Sequence, residues 1–166
     1  MKLHLKSKKE DRSVTPEPVT SQPDLHAISD IDMAREDVEK RGFALSVVRD
    51  GKRILQSKRP GISALVTAID YDRFCLRGAS AADRILGKAA AMLFVYSRVS
   101  RIFASLASRD ASATLQEFGV PFESVKNVRE ILNRDQTSAC PFESLVRDVK
   151  TPEEAFERLR ICRISG

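Results

Sequence analysis

Ile31, Ala34 and Val38 recur at helical spacing, and Gly42 is placed to end a helix running over 31–40. The pattern then changes to two short strand-like runs, 43–48 and 53–56. They are joined through Asp50-Gly51, a pair that supplies the positive φ angles of a tight hairpin turn. Pro60-Gly61 breaks the chain before a short helix over 62–69, with Leu65, Val66 and Ile69 on one side. Gly78 precedes the most apolar segment, which predicts a long helix from Ser80 to Tyr96. Ser80 is its N-cap, Asp83 a capping-box partner three residues on, and the apolar second half suits a helix covered on more than one side. A strand-like run over 102–106, a helix over 108–118 ended by Gly119, and a strand-like run over 122–125 follow. The last helix opens at Thr151-Pro152-Glu153-Glu154, where Thr caps and Pro takes the first helical position. This alternation after an opening hairpin predicts an α/β domain with a mixed central sheet flanked by helices.

Composition changes that picture at one end. Residues 1–23 mix Lys2, Lys6, Lys8 and Lys9 with Pro16, Pro18 and Pro23 and hold too few apolar groups to offset the entropy of ordering. A disordered basic tail is expected there, and a single domain over 24–166. The formal net charge of +5 is shared between the two: five Lys/Arg and three Asp/Glu fall in the tail, leaving 23 against 20 in the body. A nearly balanced body without a dense basic cluster argues against a nucleic-acid partner. The longest apolar run, 89–96, is far short of the roughly 20 residues that cross a bilayer, and the first residues lack the apolar stretch of a secretory signal. A cytoplasmic protein without membrane contact is therefore expected. Cys75, Cys140 and Cys162 lack paired spacing, which suits a reducing compartment.

Two segments carry candidate chemistry. On a helix from Ser80, at 100° per residue, Ser80, Arg84 and Lys88 fall within roughly 80° of one another, flanked by Asp83 and Gly87. Two cations would then share one face. Gly87 inside a helix would cost about 1 kcal/mol relative to Ala, which points to a close approach by a ligand, a side chain or another backbone. Lys88 is a candidate anion partner or, with a lowered pKa, a nucleophilic amine; equally, Gly87 can serve helix packing while Lys88 reaches solvent. The second segment is the polar loop Asn133-Arg134-Asp135-Gln136-Thr137-Ser138-Ala139-Cys140-Pro141-Phe142-Glu143. Loops of this kind often carry function, yet Cys140 has no His near it in sequence and the Asn, Asp and Thr side chains also cap turns. The chain has no phosphate-loop motif, no G-x-S-x-G and no His pair at metal-ligand spacing.

These segments, with Leu45 to Lys52, Pro60-Gly61-Ile62, Arg77 to Ala91, Ile131 to Asp135, Thr137, Cys140-Pro141, Glu143 and Pro152 to Ala155, resemble the family of the domain of unknown function 1893. The resemblance spans roughly 31–160 and implies a cytidine deaminase-like fold, a three-layer sandwich around a mixed sheet. It does not bring the zinc chemistry with it. A zinc deaminase needs His or Cys followed by Ala-Glu at one helix start and Pro-Cys-x-x-Cys at the next. Here His26-Ala27 is followed by Ile28 ahead of the core, Cys140-Pro141 is in reverse order, and Gly87-Lys88-Ala89 and Ser108-Arg109-Asp110-Ala111 offer no thiol or imidazole. The expectation is a domain without metal or cofactor that binds a nucleotide-like or phosphate-bearing small molecule. Ser80, Asp83, Arg84, Gly87, Lys88, Asn133, Arg134, Asp135, Thr137, Cys140 and Glu143 are its candidate ligand-binding residues. A metal-independent enzyme with Lys88 or Cys140 as nucleophile, and an interaction or homo-oligomerisation module, are the alternatives.

Overall fold

The computed structural model describes residues 28–133 and 135–164, the side chains of 163 and 164 excepted. The expected tail and Arg134 lie outside the described residues. The elements run α1 (Asp30–Glu39), β1 (Leu45–Arg49), β2 (Lys52–Ser57), α2 (Ser63–Tyr71), β3 (Ser80–Leu86), α3 (Lys88–Tyr96), β4 (Arg101–Ser108), α4 (Arg109–Glu117), β5 (Phe122–Val128), α5 (Pro141–Val146) and α6 (Pro152–Ile164).

One five-stranded sheet has the order β2-β1-β3-β4-β5. β1 pairs antiparallel with β2 and with β3, whereas β3, β4 and β5 are mutually parallel. The β1–β2 turn uses Asp50 and Gly51 at φ 52 and 70, the positive angles a two-residue hairpin needs. Both turn amides donate to the Asp30 carboxylate at 2.9 and 2.8 Å, fastening the hairpin to the first turn of α1.

Alternation along the strands divides the interior. Val48, Ala82 and Phe103 face α1, where they meet Ala34 and Val38. Val47, Ala81, Ile102 and Ala104 face the other way into a larger cluster shared with α2, α3, α4, α5 and α6. Helices thus cover both faces of a mixed sheet, the α/β sandwich expected from the alternation of elements. Asp37 of α1 is wholly buried and is the polar hinge of the smaller face. It accepts from Arg41 Nη1, Ser46 Oγ and Arg53 Nε, each at 2.8 Å, and from Gln56 Nε2 at 2.9 Å. Burial pushes its pKa up, but the bonds from Arg53, Ser46 and Arg41 outweigh burial and hold it below the usual carboxylate range.

The helix expected from Ser80 to Tyr96 is corrected. Ser80–Leu86 is the central strand, and only Lys88–Tyr96 is helical. Ala81 and Ala82 are helix formers by propensity, but both are fully buried on opposite faces of the sheet between β1 and β4. Side chains that small let helices on both faces approach a central strand, and tertiary pairing overrides propensity. Gly87 then sits at the strand-to-helix junction in extended backbone, φ −99 and ψ 175, as the N-cap of α3 and not inside a helix. Helix α5, in the region read as loop, is a second difference.

Candidate functional site

The parallel strands β3, β4 and β5 end at one edge of the sheet, where α3 and α4 begin and where the 129–140 loop leads into α5. In open α/β sheets this carboxyl edge is the usual place for a ligand. The structure distributes the expected site residues unevenly over it.

Gly87, Lys88 and Glu143 come together. The Glu143 carboxylate accepts from the Lys88 amide at 2.8 Å and from the Ala89 amide at 3.0 Å, capping the first turn of α3 from a distant part of the chain. A Cβ at Gly87 would collide with that carboxylate, which is why this position has none. The close approach that glycine signalled is a side chain of the protein itself. Burial pushes the Glu143 carboxyl above its ordinary pKa, the Ala89 and Lys88 amides oppose the shift, and the nearby Asp110 adds to it.

Lys88 Nζ donates to the carbonyls of Arg147 and Val149, both at 2.9 Å, so it ties the end of α5 to the start of α3. Arg84 Nη2 donates to Gly42 O at 2.9 Å and Phe43 O at 2.8 Å, bracing the chain between α1 and β1. Ser80 stands at the opposite end of β3, about 20 Å from Leu86 at strand rise, with Lys88 beyond that end. The shared cationic face therefore does not exist, because it required these residues to be on one helix. Asp83 is half-buried and accepts from the Ile85 amide at 3.0 Å. Its carboxyl is pushed up to about 7 by burial, with the Ile85 and Arg84 amides and the Arg84 charge pulling the other way.

The polar loop is organised by Asn133. Its Oδ1 accepts from the Thr137 amide at 2.9 Å and its Nδ2 donates to Thr137 Oγ1 and Ser138 Oγ at 3.1 and 3.0 Å. Cys140 donates its amide to Ile131 O at 3.0 Å and stands as the half-buried N-cap residue of α5. Asp135 is exposed, and Arg134 lies outside the described residues. Asn133 and Thr137 thus share one turn. Among the described residues no group of three or more His, Cys, Asp or Glu side chains could hold a metal ion.

An open cavity of about 470 Å³ lies beside this edge, between α4 and β5. Helix α4 contributes Arg109, Ser112 and Gln116; β5 and the residue after it contribute Phe122, Ser124, Asn127, Val128 and Arg129. The lining contains two cations and no acid. Neither Arg109 nor Arg129 forms an ion pair among the described residues, although most other arginines here do or are spent on carbonyls. Ser112 Oγ is buried without a hydrogen-bond partner. None of these residues belonged to the expected set. Their signal is nevertheless present, since 109, 112 and 116 form a polar stripe at helical spacing and 122, 124 and 128 share the parity of one strand face. It was hidden because the partner stripes lie on separate elements.

A family model described as TM1506, a domain of unknown function (DUF1893), matches residues 33–161. The crystal structure of a DUF1893 family protein, TM1506 of Thermotoga maritima, is similar with a TM-score of 0.71 at 27% identity. The match covers 81% of this chain and 90% of that one. No curated protein matches the chain.

Proposed function

We propose, from the premise that the chain belongs to the DUF1893 family, that its domain over 24–166 is a binding domain for a small phosphate-bearing ligand, held in the groove between α4 and β5. The observation that carries the reading is the arginine pair: Arg109 and Arg129 line one concavity with hydroxyl and amide donors and without a carboxylate. Guanidinium groups freed from internal ion pairs are the groups that bind phosphate bidentately.

A cytidine deaminase-like scaffold is part of the proposal. The β2-β1-β3-β4-β5 order, with α1 on one face and the later helices on the other, supports it. The residues do not fit the zinc of that fold: α3 opens on Gly87-Lys88-Ala89 and α4 on Arg109-Asp110-Ala111, with no thiol or imidazole. A nucleophilic role for Lys88 finds no support in its geometry, because its nitrogen is tied by donation to two carbonyls and an imine formed there would give up at least one of those bonds.

Titration calorimetry with inorganic phosphate tests the reading. Each charge-assisted bond contributes about 1.5–3 kcal/mol, so Arg109→Gln and Arg129→Gln are each expected to weaken binding by about tenfold or more. Phosphate affinity unchanged in the double variant would remove the groove from consideration.

A further inference from the structure

We infer that the groove takes a nucleoside monophosphate lengthwise, with its phosphate between Arg109 and Arg129 and its base against Phe122, an inference that rests on the phosphate-binding reading above. The polarity follows from the strand register. Ser108 pairs with Val128 and Ile102 with Phe122, so Arg109 and Arg129 share the carboxyl end of the groove while Phe122 lies at its other end. Helix α4 runs back along β5 and carries Gln116 about 10 Å from Arg109 at helical rise, toward the Phe122 end, which lies about 20 Å along β5 from Val128 at strand rise. Charge is therefore confined to one end, and a neutral end with one ring and one amide faces it.

The side chains between the ends are arranged in keeping with such a ligand. Ser124 Oγ donates to Asn127 Oδ1 at 3.0 Å, which leaves the Asn127 NH₂ as a donor beside the arginines. Ser112 lies between the two ends, with its Oγ buried out of reach of a bound molecule. Phe122 is half-buried, packed against the main core and also lining the groove, so it is a fixed platform for a flat ring. Gln116, in the same lining, offers a donor and an acceptor, as recognition of a base edge requires. Two cations match a monophosphate dianion; the lining has no third cation for a longer phosphate chain.

The test is calorimetry on the full chain with three ligand classes: inorganic phosphate, ribose 5-phosphate, and the four ribonucleoside 5′-monophosphates. At least one nucleoside monophosphate is expected to bind about tenfold or more tighter than ribose 5-phosphate, the lower range of what base stacking on an aromatic ring contributes. Phe122→Leu should erase most of that gain, read within the variant as the ratio of nucleoside monophosphate to ribose 5-phosphate affinity. The exposed Gln116→Ala, which does not touch the core, should reduce the preference for one base over another. If inorganic phosphate binds through the arginines but a base adds nothing, or if its gain survives both variants, the inference fails and the phosphate reading stands. If none of the three classes binds, both fail.

Discussion

Gly87→Ala isolates the contact that organises the carboxyl edge. At φ −99 and ψ 175 alanine is unstrained, so the backbone offers no reason for glycine. The added methyl would occupy the space of the Glu143 carboxylate, which must then release the Lys88 and Ala89 amides. Hydrogen bonds to a charged group are worth about 1.5–3 kcal/mol each, and water at this half-buried site replaces part of them, so a loss of about 2–3 kcal/mol is expected. Two smaller effects oppose each other: alanine is a poorer N-cap than glycine by some tenths of a kcal/mol, and it restricts the unfolded chain by about 0.4–1 kcal/mol. Glu143→Ala alone should cost a similar 2–3 kcal/mol, roughly, because it removes the same two bonds. The double variant is decisive. With the carboxylate gone, Gly87→Ala should change stability by less than about 0.5 kcal/mol, giving a coupling energy near 2 kcal/mol, roughly, in a cycle measured by urea unfolding. An equal penalty for Gly87→Ala in both backgrounds would show that the glycine serves something other than Glu143.

Asp37→Ala strands Ser46 and Gln56 and frees Arg41 and Arg53, both of which retain solvent access; a loss of about 2–4 kcal/mol is expected in denaturant unfolding, and under 1 kcal/mol would contradict the hinge role. The folded-state pKa of Asp83 is raised from 3.8 to about 7, so its stabilising contribution is complete below about pH 4 and is lost as pH rises through 7. Wild type should accordingly lose stability between about pH 4 and 7, levelling off above that, relative to Asp83→Asn, and parallel pH profiles of the two would refute the assignment. Lys88→Met removes two bonds to the carbonyls of Arg147 and Val149 just after α5, so unfolding should become easier by about 1–2 kcal/mol while phosphate affinity stays unchanged; weaker phosphate binding would restore Lys88 as a ligand contact.

The legible parts of the sequence were those in which local chemistry and tertiary structure agree. Asp50-Gly51 makes its hairpin, Ser108 caps α4 by accepting from the Ala111 amide at 3.0 Å, and Thr151 accepts from the Glu154 amide at 3.3 Å at the start of α6. The central strand was illegible because Ala81 and Ala82 favour a helix locally, and only pairing with β1 and β4 makes them a strand. That one difference moves the candidate site. Read as a helix, residues 80–88 gather Ser80, Arg84 and Lys88; as strand and junction they separate, and each cation is spent on backbone carbonyls. Glu143 and Gly87 were both singled out, but their contact spans more than fifty residues of sequence and no spacing rule links them. The groove is illegible in the sequence for the same reason, since α4 and β5 each supply half of it.

The most direct test of the account is a phosphate titration followed by two-dimensional NMR of the ¹⁵N-labelled chain, reading backbone amides together with arginine Nε–H and asparagine side-chain signals. Saturable shifts are expected at Arg109, Ser112, Asn127 and Arg129, with Lys88, Ala89 and Arg84 unmoved. Shifts centred on Lys88 and Ala89, with displacement of Glu143 from the start of α3, would contradict it.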